Sequence, residues 1–184
     1  MQSAEQSLRE NIILVGFMGS GKSSIGKRVA ADLGFQFLDT DKIIVDRAGM
    51  SISHIFAQRG EPAFREMETS ALVSIGHLNR CVIATGGGIV IREENRALLR
   101  QLGFVVCLTA SEEVLYERVA RNEKRPLLQT EDPRKTLSEL MQTRLPFYEE
   151  TAHFTLDTTH LNHAAATEEI VKEARRAFSW HRGT

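Results

Sequence analysis

A chain of 184 residues, 42% hydrophobic and 26% charged, has the composition of one soluble globular domain with a single substantial core. A formal net charge of −1 gives no general attraction to nucleic acid or to a membrane, and no apolar run is long enough to span a bilayer. The two cysteines, Cys81 and Cys107, lie in separate apolar runs and read as reduced core residues, which excludes a disulfide framework and a zinc site.

Residues 1–10 are polar and read as a flexible N-terminus without a hydrophobic signal region, so a cytoplasmic location is the default expectation. Residues 11–184 read as one domain, without internal repeats, low-complexity tracts or linkers. The apolar, β-branched run Ile12–Val15 predicts a buried strand. Gly16-Phe17-Met18-Gly19-Ser20-Gly21-Lys22-Ser23 follows it and fits the pattern G-x-x-x-x-G-K-[ST] without a mismatch. Ile25, Val29 and Leu33 then recur every four residues, the stripe of a helix that Gly34 stops. Glycine-rich backbone followed by a helix N-terminus presents unpaired N–H groups to an anion. Gly19, Ser20, Gly21, Lys22, Ser23 and Ser24 are therefore expected to bind ATP, with Lys22 as a point charge on the β- and γ-phosphates and the Ser23 hydroxyl on Mg²⁺.

Phe35–Leu38 predicts a short strand ending in Asp39-Thr40-Asp41. At a strand-to-helix turn both carboxylates can face a cleft, one supporting Mg²⁺ and the other accepting a hydrogen bond from an attacking hydroxyl. The competing reading is that Asp41 or Thr40 caps the next helix. Residues 42–60 read as two short helices broken at Gly49, the second capped by Ser51 and ended by Gly60. Pro62 suits a first helical position, and Phe64, Met67, Ala71 and Ile75 form the stripe that follows. In that helix Arg65 can be held by Glu68 at i+3.

Cys81–Ala84 predicts a buried strand. The next loop contains Gly86-Gly87-Gly88, whose backbone cost is explained if N–H groups approach a small polar ligand. A helix over about 92–101 and a strand over 103–109 come next, and then a helix capped by Ser111. Arg121 and Arg125 lie in a charged stretch that reads as an arginine-bearing lid over about 121–132, the usual device for excluding water from a phosphate site. Asp132-Pro133 restarts a helix with Leu137, Leu140, Met141, Leu145 and Tyr148 on one face. Pro146 predicts a kink just after Arg144. Two arginines aimed into a cleft, Arg65 and Arg144, suit a substrate carboxylate. A last strand over 154–156 and a helix marked by Ile170, Val171, Ala174 and Phe178 complete the chain.

Five short apolar strands alternating with helices predict an α/β fold, a parallel sheet covered on both faces in a three-layer α/β/α sandwich. The motif-bearing loops follow strand ends, so they are expected to meet along one sheet edge.

Taken in series, the phosphate loop, Asp39-Thr-Asp41, Gly60-Glu-Pro-Ala-Phe-Arg65 with Glu68, Gly86-Gly-Gly88, Arg125-Pro-Leu-Leu and Arg144-Leu-Pro-Phe-Tyr148 resemble the shikimate kinases. The resemblance runs from about Asn11 to Phe178. It implies a P-loop kinase of the nucleoside-monophosphate-kinase-like type, with a five-stranded parallel sheet in order 2-3-1-4-5. The implied reaction is ATP plus shikimate to ADP plus shikimate 3-phosphate, a step toward chorismate and the aromatic amino acids. By motif, Arg65, Arg144 and the Gly86, Gly87 and Gly88 backbone would bind the shikimate carboxylate and hydroxyls. Asp41 would hydrogen-bond the hydroxyls and is the candidate base. Asp39 would support Mg²⁺ through water. Lys22 and Arg125 would act on the phosphates, Arg125 from the lid, and Arg121 would lie near adenine. Family members are mostly monomeric with mobile lids. The substrate-binding segment would span about 40–70. Pro62 and Ala63 depart from the family where it often has acidic residues or glycine. Three other readings stand beside this one: a related kinase such as a gluconate kinase, a non-catalytic kinase-like binding protein, and an NTPase switch with a protein partner.

Overall fold

The computed structural model describes residues 9–120 and 130–180, with side chains through residue 178. Five strands form one sheet: β1 (Ile12–Gly16), β2 (Gln36–Asp39), β3 (Cys81–Ala84), β4 (Phe104–Thr109) and β5 (Phe154–Asp157). Their order is β2-β3-β1-β4-β5, with every neighbouring pair parallel, as the resemblance implied. Seven helices connect them among the described residues: α1 (Lys22–Leu33), α2 (Thr40–Ala48), α3 (Ile52–Ser74), α4 (Glu93–Leu102), α5 (Glu112–Ala120), α6 (Pro133–Thr151) and α7 (His163–Trp180).

β1 and β3 are buried along their whole length, because helices cover both sheet faces. Successive side chains point to opposite faces, so β1 divides its residues between two cores. Ile13 and Val15 pack with Leu72, Leu99, Leu137 and Tyr148 on the α3/α4/α6 side. Ile12 and Leu14 pack with Ile25, Val29, Ile170 and Ala174 on the α1/α7 side. A third, smaller cluster joins α2 to α3 through Ile44, Ile55, Phe64 and Ala71. Both cysteines are free and buried, as expected. Among the described residues no helix is long and apolar enough to cross a membrane.

Three local features bear on the readings from sequence. The cap of α2 is Asp39, whose carboxylate accepts from the backbone N–H of Asp41 and Lys42; neither Asp41 nor Thr40 performs that role. Gly60 interrupts α3 with φ 75° and ψ 171°, so the two halves predicted around it exist but are joined without a loop. Only glycine takes that φ without strain. Pro146 lies inside α6, whose helix runs on from Pro133 to Thr151.

The edge of the sheet remote from the glycine loops is closed by one side chain. Asn11, fully buried, donates through Nδ2 to the carbonyls of Leu78 and Leu102, each at 2.9 Å, and accepts from the Cys81 N–H at 2.9 Å. It stitches the starts of β1 and β3 to the end of α4. Asn11→Ala strands three backbone groups in the interior and is expected to cost about 2–4 kcal/mol. Urea unfolding should report that loss, with catalytic activity under native conditions retained.

Candidate active site

The loops that follow β1, β2 and β3 meet at the carboxyl edge of the sheet, where parallel α/β folds collect ligands. A cleft of about 310 Å³ opens there, lined by Met18, Gly19, Gly21, Lys22, Ser23, Ser24, Asp39, Asp41, Thr85, Gly87, Arg118 and His163. Eight of the residues expected from sequence on the two sides of the reaction thus share one space: Gly19, Gly21, Lys22, Ser23, Ser24, Asp39, Asp41 and Gly87.

On the phosphate side, Gly21 caps α1 at φ 94°, a left-handed conformation that turns the chain into the helix. The first turn of α1 contains no acidic residue, so nothing there repels an anion. Lys22 folds back over the loop. Its Nζ donates to the carbonyls of Gly16 and Phe17, both at 2.8 Å, and more weakly to Ser20 Oγ at 3.4 Å. Those contacts hold the ammonium inside the loop while Lys22 still borders the cleft.

The Ser23 hydroxyl donates to Asp39 Oδ2 at 2.8 Å. Asp39 Oδ1 is meanwhile committed to the α2 N-terminus, so its two oxygens face different tasks. One hydroxyl and one carboxylate, both hard oxygen donors beside a phosphate loop, fit a Mg²⁺ that keeps several waters and takes its remaining ligands from phosphate. No cluster of three or more His, Cys, Asp or Glu suited to a metal occurs among the described residues, in keeping with so sparse a protein ligand set.

The acceptor side is built around two arginines with opposite charge environments. Arg65 is held from three directions. Its Nη1 donates to Glu68 Oε2 at 2.7 Å, and its Nη2 and Nε donate to Glu61 Oε1 at 2.6 and 3.1 Å. Burial alone would lower its pKa, but the two carboxylates outweigh that and raise it. The guanidinium presses against Gly88 so closely that a Cβ there would sit 2.2 Å from Nη1. That contact explains the third glycine of the run. At the first, a Cβ on Gly86 would lie 2.7 Å from Asp41 Oδ1 and 2.9 Å from Glu68 Oε1.

Arg144 is only 2% exposed, and the ion pairs among the described residues do not include it. Its guanidinium lies 5.8 Å over the Phe17 ring, with the Tyr148 hydroxyl close by. Burial lowers its pKa, with a further push from the neighbouring Arg65. A desolvated cation without a carboxylate is costly unless a ligand supplies one.

Glu68 is fully buried, with Oε1 lacking a hydrogen-bond partner among the described residues. Burial raises its pKa to about 7, more than Arg65 lowers it, and the nearby Asp41 adds to the rise. Arg121 and Arg125 lie outside the described residues. Four participants escaped the sequence reading: Glu61 as a ligand of Arg65, Tyr148 as a neighbour of Arg144, and Arg118 and His163 in the cleft wall. Arg118 reaches the Gly19 carbonyl at 3.3 Å across 99 positions of chain, a proximity that no local pattern encodes.

Residues 18–175 match the family model described as shikimate kinase. The shikimate kinase of Thermodesulfovibrio yellowstonii is 47% identical over 167 residues, which cover 91% of this chain and 96% of that protein. That of Geobacter metallireducens is 45% identical over 171 residues, covering 93% of this chain and 92% of the relative. The solved structure of the shikimate kinase from Acinetobacter baumannii in complex with shikimate superposes with a TM-score of 0.88 at 38% identity, over 94% of this chain and 96% of that one.

The Glu68 environment has a measurable consequence. Its native pKa of about 7 stands above the ordinary 4.5, so the folded protein binds this proton more tightly than the unfolded chain. The stabilisation is therefore complete below pH 4.5 and is lost as pH rises through 7. Glu68→Gln removes that component. Urea midpoints of the ligand-free protein should fall further between pH 5 and 8 for the wild type than for the variant; parallel profiles would refute the assignment.

Proposed function

Since this chain belongs to the shikimate kinase family, we propose that it transfers the γ-phosphoryl group of ATP to the 3-hydroxyl of shikimate, with each wall of the cleft serving one substrate. The observation that carries this is the position of Arg144, a buried arginine outside every ion pair among the described residues: it is not among the residues lining the cleft, but its guanidinium lies 5.8 Å over the ring of Phe17 in the phosphate loop. A triphosphate explains the loop, and an acceptor bearing a carboxylate explains the arginine.

The Gly19–Ser24 backbone and Lys22 bind the phosphates. Leaving its loop carbonyls for the γ-phosphoryl oxygens lets Lys22 follow the charge that develops there. Ser23 directly, and Asp39 through water, hold Mg²⁺. When bound, the cation neutralises phosphate charge. Arg118 and His163 are left for the nucleoside end.

Across the cleft, Arg144 and the Gly86–Gly88 backbone take the shikimate carboxylate together with Arg65, which Glu61 and Glu68 keep in place. Asp41 orients the acceptor hydroxyl. The forming O–P bond replaces the bond between the γ-phosphorus and the β,γ-bridging oxygen, and ADP leaves. The hydroxyl proton passes to Asp41 or to solvent, since a loose transition state requires little base assistance. Arg125 would neutralise the transferring group and Arg121 would approach adenine, from a lid over about 121–132. Residues 40–70 form the substrate-binding segment. A monomer working in the cytoplasm, without nucleic-acid or membrane partners, completes the proposal.

ADP release measured with shikimate, with gluconate and with no acceptor tests the reading; stimulation by gluconate alone would overturn it. Lys22→Ala should lower kcat by roughly 10²–10³-fold with the fold intact by circular dichroism. Arg144→Met should do two things at once. It removes a buried, uncompensated charge, so the ligand-free protein should gain about 1–2 kcal/mol of stability. It should also lose saturable dependence on shikimate, as read from initial rates.

A further inference from the structure

Tyr148 closes the motif that begins at Arg144, yet nothing in the phosphoryl transfer requires a tyrosine there. It lies one helical turn beyond Arg144 on α6, on the same face. Its side chain is buried at 4% exposure among the residues of the larger core. Burial raises the phenol pKa, so the hydroxyl keeps its proton throughout the working range.

A phenol has one proton to donate and lone pairs to accept with. Here the donated bond has a fixed direction: the Tyr148 hydroxyl donates to the carbonyl of Gly87, which can only accept. That leaves the oxygen's lone pairs beside the Arg144 guanidinium, one helical turn back on the same helix. One oxygen thus ties a helix side chain to the backbone of a glycine turn 61 positions away.

The tie also orients a peptide plane. In a trans peptide the C=O and the following N–H point in opposite directions. Holding the Gly87 carbonyl toward Tyr148 turns the Gly88 N–H away from α6. Gly88 is also the residue whose Cα rests against the Arg65 guanidinium. Its N–H makes no hydrogen bond to the protein among the described residues. Two donors, Arg144 and the Gly88 N–H, thus border this one hydroxyl, and Arg65 packs against the second.

Resting on the reading of this cleft as a shikimate site, we propose that the Tyr148 hydroxyl is a positioning residue that locks Arg144 and the Gly88 N–H into one receptor for the substrate carboxylate. It touches neither substrate. It selects for an acid by fixing where the donors converge, and it leaves phosphate binding and transfer unaffected.

The test is Tyr148→Phe, which keeps the ring and its packing and removes one atom. With shikimate, KM should rise about 10-fold, as for loss of one hydrogen bond to a charged group, while kcat and the KM for ATP stay within about 2-fold of wild type. Selectivity for shikimate over its methyl ester should fall by a similar factor. In an Arg144→Met background, where the cycle is read as kcat/KM from initial rates at subsaturating shikimate, the same substitution should have little effect, because the cation it positions is gone. An unchanged KM for shikimate, a parallel rise in the KM for ATP, or additivity in the double-mutant cycle would overturn the proposal. If wild-type ADP release does not depend on shikimate, the underlying reading fails; if it does and Tyr148→Phe behaves as wild type, only the positioning role fails. Thermal unfolding of the variant, expected within a few degrees of wild type, separates a lost hydroxyl from a lost fold.

Discussion

The acceptor half of this protein depends on a charge imbalance between two buried arginines. Arg65 is bound by two carboxylates, whereas Arg144, among the described residues, makes no ion pair and lies beside a phenol and an aromatic face. Had both been paired, an incoming acid would have to break an ion pair to bind. Had both been bare, the fold would hold two desolvated cations near each other, each disfavouring the other. The arrangement found lets one arginine hold the shape of the site and leaves the other as its vacant half. The same logic extends to Glu68. It is crowded by Asp41 and buried, so its proton affinity rises toward neutrality, and the net charge of the cluster follows pH in the range where the enzyme works.

The phosphate half solves a different problem. A lysine that must wait for a triphosphate cannot be left loose in solvent without losing geometry. Here the loop supplies its own temporary ligands, two carbonyls at 2.8 Å. Backbone carbonyls bind less strongly than phosphate oxygens, so the exchange on substrate arrival is favourable without being rehearsed by a competing carboxylate. Ser23 and Asp39 are likewise already in contact, which ties the segment after β1 to the segment after β2 where the proposal places metal and phosphate.

How much of this the sequence showed follows the range of each interaction. The phosphate loop is local, and its eight residues announce it without help. Arg65 with Glu68 is local too, three positions apart on a helix. The sheet order came from the resemblance alone. What stayed hidden lies across long separations or in near-symmetric choices. Arg118 beside Gly19 and Tyr148 beneath Gly87 are brought together only by the sheet topology. In Asp39-Thr40-Asp41 either aspartate could have capped α2, and the decision rests on Asp39 taking extended backbone at the end of β2.

The small cluster of Ile44, Ile55, Phe64 and Ala71 has a bearing beyond its size. It gives α2 and α3 an interior of their own, separate from the two large cores that clamp the sheet. Arg65 and Glu68 stand on that platform, next door to Phe64. An exchangeable cassette results. Divergence could redraw the acceptor pocket by rebuilding one helical hairpin, leaving the triphosphate engine behind it untouched. A protein engineer seeking a new acid as acceptor would transplant that hairpin whole, hydrophobic interior included, before altering any arginine singly.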